Sequence, residues 1–598
     1  MPSIARKTLE RDLLAHVGRP GRYTGGELNS TVKDWTAARA RFALVFPDAY
    51  EIGMSHVGLR IIYAALNARE DTLAERAYSP WADAEAVMRE RGLPLFSLES
   101  HRPLSEFDVI AFSLPHETCY TNVLAVLDLA GVPLRSADRD AAAPLVIAGG
   151  CGAYIPEPAA PFIDAFAVGD GEEVILDITD VVAAKLKRAD TLRELAKIDG
   201  VYVPSLYTPS YNADGTLAAM TPSPGAPALI NRRLVDDLDS AAYPERPVVS
   251  DISAVHDRLT LEIMRGCTQG CRFCQAGMLY RPVRERSVER LLHLARTGLA
   301  ATGYDEVSLL SLSTGDYSRL PQLLSGLLGI CEPARVGLAV SSLRADADAP
   351  ELASVISRVR KSGFTLAPES GSERLRRVIN KKITEQDLDT ALTGISREGW
   401  RSVKLYFMIG LPTETEADIE ETVRMVNDVA RARTWRRVTV SVSSFVPKAH
   451  TPFQWDAMDD LAALRDKQAY LRSAIHGKRV KLKWHQAEMS HLEGVFARGD
   501  RRLADAIEAA FRFGARFDAW SSDRYPDAWT RAFDQTGIDP AFYANRVRPY
   551  DELLPWDHIS TGVSREYFRA ERERALRGEI TPDCRDGCTG CGACTAGR

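Results

Sequence analysis

Leu259-Thr-Leu-Glu-Ile-Met264-Arg-Gly-Cys267-Thr-Gln-Gly-Cys271-Arg-Phe273-Cys274 is the stretch on which the reading of this chain turns. Its first six residues make a buried-type strand, which runs directly into a loop carrying three thiols in C-x3-C-x2-C spacing, with an aromatic residue just before the third. A [4Fe-4S] cube normally takes four protein ligands, so a compact set of three leaves one iron open to a small molecule. The alternative for the same residues is a zinc knuckle whose fourth ligand lies elsewhere.

Downstream of this loop, apolar β-type runs alternate with helical patterns. A helix is expected over Val288–Thr302, then strand Val307–Leu312, helix Arg319–Cys331, strand Val336–Ser342, helix Pro350–Lys361 and strand Phe364–Ala367. Strand Val403–Ile409, helix Thr415–Ala430 and strand Arg437–Ser444 follow. Such alternation predicts a parallel sheet with crossover helices. Parallel α/β sheets build their ligand sites at the carboxyl ends of the strands.

The cysteine spacing and the six repeated units together resemble the radical S-adenosylmethionine (SAM) superfamily and its open (βα)6 barrel. The resemblance covers about 258–452. It implies a [4Fe-4S] cluster on Cys267, Cys271 and Cys274, with SAM chelating the fourth iron and Phe273 beside the cofactor. Ser313-Thr-Gly315-Asp316 stands where the family usually has Gly-Gly-Glu at the SAM amino group, so this chain departs from the usual wording. Ser342 and Arg344 resemble the element that reaches the SAM carboxylate or ribose. Glu369 is placed to accept a ribose hydroxyl, and Ser372 to cap the helix that follows. Gly410, within Phe407-Met-Ile-Gly410-Leu-Pro412, matches the backbone segment that flanks adenine, and Phe445–Pro452 matches the segment after the sixth unit.

A second α/β pattern occupies about 40–190. Strand Arg41–Phe46 leads to Gly53 and His56, and strand Phe107–Ser113 to His116 and Glu117. Strand Leu145–Ala148 ends in Gly149-Gly150-Cys151, and strand Ala165–Val168 in Gly169-Asp170-Gly171. Strand, glycine-rich loop and helix suit a flat cofactor or a phosphate at the sheet edge. The absence of G-x-G-x-x-G gives a dinucleotide little support. Placed just ahead of the cysteine loop, the region resembles the Rossmann-like cobalamin-binding domain of B12-type radical SAM enzymes. That resemblance implies cobalamin near Gly53, Ser113, Gly149, Gly150, Gly169 and Gly171. The chain lacks D-x-H-x-x-G, leaving His56 or His116 as substitutes for the lower cobalt ligand. The alternative is a degenerate domain that keeps the fold without the cofactor.

The expected order is an extension over 1–39, the cobalamin-type domain over 40–200, a linker over 201–250, the barrel over 251–455, a mostly helical region over 456–575 and a cysteine-cluster tail over 576–598. The tail places Cys584, Cys588, Cys591 and Cys594 within eleven residues. Four thiolates suit a second iron–sulfur cluster or zinc. Helices are expected over Leu461–His476 and Asp500–Phe513, and His485 and His491 are read on one helix.

Composition fits this picture. The 598 residues are 45% hydrophobic and 26% charged, with a formal net charge of −6, which disfavours a broad electrostatic grip on nucleic acid. The N-terminus lacks the apolar core of a signal peptide, and no apolar run approaches a membrane span. A cytoplasmic protein is expected. Seven of the ten cysteines fall in the two tight clusters, and in a reducing compartment such clusters mean metal rather than disulfides. The resemblance implies reductive cleavage of SAM with a flavodoxin or ferredoxin as reductant. C-methylation through cobalamin is the leading specific reaction. Redox or sulfur-insertion chemistry on RNA, or a non-catalytic RNA-binding module, are the alternatives. The whole pattern resembles an uncharacterised bacterial family of B12-binding-domain radical SAM proteins, sometimes labelled Fe–S oxidoreductases, whose substrate the resemblance does not supply.

Overall fold

The computed structural model describes residues 4–340, 364–432, 435–520 and 526–594. Its first sheet contains β1 (Ala40–Phe46), β2 (Thr72–Tyr78), β3 (Val109–Ser113), β4 (Leu145–Gly149), β5 (Ala165–Ala167) and β6 (Val201–Tyr202). Their spatial order is β2-β1-β3-β4-β5-β6, all parallel except β6. The 2-1-3-4-5 order is the flavodoxin-like form of the doubly wound sheet. Its strands read as unbroken apolar runs because both faces are covered. Phe42, Leu44 and Phe46 pack with the helices Val57–Ala68 and Gly171–Ala183. The alternate residues Ala43 and Val45 face the opposite layer with Val123, Leu124 and Leu127 of helix Tyr120–Leu129.

The linker holds the hairpin of β7 (Tyr207–Tyr211) with β8 (Leu217–Pro222), and a short β9 (Ile230–Asn231). The barrel strands are β10 (Leu259–Glu262), β13 (Glu306–Leu310), β14 (Gly337–Val340), β15 (Phe364–Glu369), β16 (Ser402–Ile409) and β17 (Arg437–Ser444), joined by an additional β18 (Val480–Trp484). Between β10 and β13, β11 (Met264–Arg265) pairs antiparallel with β12 (Arg284–Glu285). Among the described residues the barrel strands form one sheet of order β10-β13-β14 and another of order β15-β16-β17-β18, parallel throughout. The expected helix Pro350–Lys361, Ser342 and Arg344 lie outside the described residues.

Two expectations need correction. The region after the barrel contributes β18, a strand hydrogen-bonded in parallel to β17, so the array has a seventh strand. His485 and His491 do not share a helix: the His485 N–H donates to Val442 O as β18 ends, and the helix Ala487–Ala497 starts after it. The expected helices at 461 and 500 are present as Leu461–Ala474 and Leu503–Arg512. Near the end of the chain, β19 (Ile559–Ser560) returns to pair with β9, and helix Arg565–Leu576 leads to the cysteine tail. Among the described residues no helix is long and apolar enough to cross a membrane.

Candidate functional site

The cysteine loop starts at the carboxyl end of β10, and the β11–β12 pair ties its two ends together. Gly266 enters it at φ +87°, where a Cβ would stand 2.6 Å from the Tyr280 carbonyl oxygen, so only glycine fits. After Cys274 the chain turns into helix Gln275–Leu279, and the Gly277 N–H faces the Cys274 Sγ at 3.4 Å. Hydrogen bonds to sulfur are among the groups that tune an iron–sulfur cluster. Burial, reinforced by the neighbouring Cys271, pushes the Cys267 thiol up to about 12 and the Cys274 thiol up to about 11. Crowded thiols of this kind ionise when a bound cation supplies the compensating charge. Among the described residues no three His, Cys, Asp or Glu side chains are gathered as a single-ion centre.

Arg272, between the second and third thiols, is fully buried and fixes the loop from beneath. Its Nε donates to Glu571 Oε2 at 3.0 Å, Nη1 to the carbonyls of Arg377 and Val378, and Nη2 to Glu579 O and Thr581 Oγ1. Asn380, from the same segment as Arg377 and Val378, donates to the Gln269 and Gly270 carbonyls. The loop is therefore held by the helix Glu373–Val378 and by the C-terminal helix Arg565–Leu576. Phe273 packs among Leu375, Ile379, Phe445 and Phe453.

Around the thiols stand residues from successive strand ends. Asp316 accepts from Ser313 Oγ at 2.7 Å and from Gln269 Nε2 at 2.8 Å, while Arg585 Nη2 donates to its other oxygen at 2.8 Å. The carboxylate assigned to the SAM amino group is thus occupied by a guanidinium from the tail. A Cβ at Gly315 would meet nothing within 4 Å, so this turn borders open space. Glu369 ends β15 at φ +67° and accepts from Lys381 Nζ at 3.2 Å. Burial raises the Glu369 carboxyl, and Lys381 offsets part of that rise. Burial would lower the Lys381 ammonium, but Glu369 and then Cys271 outweigh it, so the cation persists beside Cys271 and Cys274. Sequence reading missed Lys381 and Gln269; only their closeness to assigned residues hinted at them. Gly410 takes φ +79°, and its N–H donates to Glu414 Oε1 at 2.8 Å.

The residues assigned to cobalamin are placed differently from expectation. A Cβ at Gly53 would stand 2.2 Å from the Tyr78 ring, at Gly150 2.9 Å from Leu114 O, at Gly169 2.1 Å from Arg233 O, and at Gly171 2.7 Å from Ile62 Cδ1. Their smallness already serves protein packing. Gly53 also borders a cavity of about 160 Å³ closed by Tyr243–Val248, well below the ~300–1,000 Å³ of ordinary small-molecule sites. Gly149 keeps more room, since a Cβ there would meet Ala167 O only at 3.6 Å, and Ser113 ends β3 half-buried. His56 caps helix Val57–Ala68: its Nδ1 accepts from the Leu59 N–H at 3.1 Å. Burial, then Arg60, holds its pKa down to about 4, so the neutral ring carries its proton on Nε2, and freeing that nitrogen for cobalt would break the helix cap. His116 Nδ1 lies 2.9 Å from Thr118 Oγ1. This set does not fit a corrinoid liganded by His56. What the sheet edge does instead is hold the barrel. Cys151 Sγ lies 2.9 Å from Tyr280 Oη, Lys448 Nζ donates to Glu117 at 2.9 Å, and Asp170 pairs with Arg265 at 3.1 Å and with Arg284.

The tail lies directly on the cysteine loop. The Cys584 N–H donates to Thr268 O at 3.3 Å, and Asp583 Oδ2 accepts from Thr268 Oγ1 at 2.9 Å and Gln269 Nε2 at 2.8 Å. Cys591 is buried with Met278, Trp556 and Tyr567.

Comparison with known proteins defines the class. Residues 261–426 match the Radical SAM superfamily, and residues 58–204 match the family described as Radical SAM proteins, N-terminal. The chain carries radical SAM domains and is a radical SAM superfamily enzyme. It is 28% identical to an uncharacterized protein of Methanocaldococcus jannaschii over 83% of this chain and 97% of that one. It is also similar to the ribosomal protein uS12 methylthiotransferase RimO of a Thermotoga species, at 23% identity over 44% of this chain and 67% of RimO. The threonylcarbamoyladenosine tRNA methylthiotransferase MtaB of Treponema pallidum is 28% identical over 31% of this chain and 39% of its own length. Among solved structures, the cobalamin-dependent S-adenosylmethionine radical enzyme OxsB aligns over 90% of this chain and 80% of its own, with 12% identity and a TM-score of 0.49.

Proposed function

We propose that this protein holds a [4Fe-4S] cluster on Cys267, Cys271 and Cys274 and cleaves SAM there to begin radical chemistry on a carbon substrate. The observation that carries this is the backbone-fixed cysteine loop at the carboxyl edge of the parallel strands. When bound, the cluster supplies one electron to the SAM sulfonium, releasing methionine and a 5'-deoxyadenosyl radical. The protein's own part is placement and exclusion. Arg272 and Asn380 fix the loop backbone. Lys381 offsets the negative charge of the thiolates. Asp316 is the acceptor for the SAM ammonium once Arg585 yields it, and Glu369 is the acceptor for a ribose hydroxyl. Phe273 closes the apolar side.

Cobalamin-dependent C-methylation is the finer reading. In its favour, Cys151, just past the end of β4, meets Tyr280, which follows the helix leaving the cluster loop. Against it stand the proton on His56 Nε2 and the filled glycine faces. Corrinoid quantified in anaerobically purified protein decides between them: one per chain supports C-methylation, and none alongside competent SAM cleavage removes it. The methylthiotransferase relatives support sulfur insertion into RNA or ribosomal protein as the remaining alternative. The core proposal is tested by anaerobic reconstitution and assay of 5'-deoxyadenosine, which Cys271→Ala should abolish.

A further inference from the structure

Cys584, Cys588, Cys591 and Cys594 form a second thiol set, outside the barrel but joined to its cysteine loop. We propose that this tail binds a redox-active iron–sulfur cluster that relays single electrons from a surface-docked carrier protein to the barrel cluster. The relay rests on the reading that Cys267, Cys271 and Cys274 hold that cluster.

Ligand spacing separates iron from zinc. The tail reads C-x3-C-x2-C-x2-C, four thiols within eleven residues, the number that one iron–sulfur cluster takes. Structural zinc modules usually set two cysteine or histidine pairs apart by a dozen or more residues, and no such spacer exists here. The backbone between the thiols turns tightly at two left-handed glycines. Gly590 and Gly592 take φ +71° and +89°, and the Gly590 N–H faces the Cys588 Sγ at 3.4 Å.

Placement gives the set an inner and an outer side. Cys588 and Cys594 are exposed, whereas Cys591 is buried and Cys584 half-buried. The inner pair faces the barrel loop. Only one hydrogen bond and one residue separate Cys584 from Cys267, so their Cα atoms lie within about 11 Å. Cys591 shares a hydrophobic cluster with Met278 of the helix that follows Cys274. Arg281 stands between the two sets: its Nε donates to Gly277 O at 3.1 Å, and its guanidinium lies against Cys591. A centre with one face in solvent and the other on the barrel loop has the geometry of an electron port.

The step balances simply. A low-potential carrier of the flavodoxin or ferredoxin class loses one electron; the tail cluster gains it and passes it on, so the barrel cluster ends reduced by one electron and no atom moves.

The test uses the full chain, reconstituted anaerobically, and compares it with a Cys588→Ala/Cys594→Ala variant altered only at exposed thiols. Wild type should hold about eight irons per chain and the variant about four, with loss of one of two electron paramagnetic resonance signals. Reduction of the barrel cluster by reduced flavodoxin, followed without SAM, should slow by about an order of magnitude in the variant, while reduction by dithionite stays unchanged. Circular dichroism matching wild type establishes that the variant is folded. A second variant, Cys271→Ala, should keep the tail signal and about four irons. Zinc in the tail, about four irons in wild type, or equal flavodoxin rates in the two proteins overturns the relay. Wild type that holds both clusters but yields no 5'-deoxyadenosine with dithionite overturns the SAM-cleavage reading instead, leaving the tail cluster standing.

Discussion

Replacing Arg272 with Met should loosen the cysteine loop more than any exposed substitution nearby. The side chain is fully buried and paired with Glu571 at 3.0 Å, whose own exposure is 1%. Breaking such a pair by removing one partner costs about 3–5 kcal/mol, because the remaining charge stays buried. Three backbone carbonyls, those of Arg377, Val378 and Glu579, lose a donor as well. Thr581 Oγ1 still donates to Glu571, and Arg574 Nη1 still pairs with it at 2.7 Å, which keeps the cost near the stated range. At about 1.4 kcal/mol per factor of ten, the loop should open about two to three and a half powers of ten more often. Hydrogen exchange reads this locally, through the Arg272 amide that donates to Ile379 O at 3.0 Å. Adding Glu571→Gln should then cost less than it does alone, with a coupling of about 1–3 kcal/mol. Exchange within about threefold of wild type, or strictly additive variants, would refute the claim that this pair anchors the loop.

Glu157 gives a pH-dependent case. Burial alone would raise its carboxyl, but the His558 ring 3.5 Å away and the charge and hydrogen bonds of Arg501 outweigh it and hold it at about 2 against an ordinary 4.5. A depressed folded-state pKa stabilises above the unfolded value and is lost as pH falls from about 4.5 to 2. Glu157→Gln should therefore cost about 3 kcal/mol at neutral pH, and its urea midpoint should converge on wild type near pH 2. His56→Ala should cost about 1 kcal/mol in thermal unfolding through loss of the cap, His56→Asn much less, and neither should change corrinoid content. Gly169→Ala, at φ +112° with Arg233 O at 2.1 Å from the new Cβ, should destabilise by about 3 kcal/mol or more. Unfolding temperatures within error of wild type would contradict that packing.

Much of the barrel was legible because its strands are short apolar runs at regular intervals, and the three-thiol loop carries its chemistry in local spacing. β2 was not legible because Glu75 and Arg76 sit in its middle. Their charges are buried against partners far away in sequence: Arg76 pairs with Glu27 and Glu99, and Glu75 accepts from Ser97 and Ser100. β18 was hidden by Lys481 and Lys483, which face solvent from the edge strand of its sheet. Arg501, just ahead of the helix Leu503–Arg512, pairs with buried Glu157, a partner 344 residues away that its local sequence does not reveal. The joining of Asp316 to Arg585 could not be read at all, since 269 residues separate them and nothing in either local run points to the other. His56 shows the same limit at short range, because a histidine that caps a helix and one that could bind cobalt look alike until the Leu59 N–H is placed.

The central claim is met most directly by reducing the anaerobically loaded protein in the presence of SAM and quantifying 5'-deoxyadenosine beside iron and sulfide. The account predicts nucleoside and methionine in equal amounts from wild type, and none from Cys267→Ala, Cys271→Ala or Cys274→Ala. Fully loaded wild type that leaves SAM intact, or a barrel trio that takes up only zinc, would contradict it.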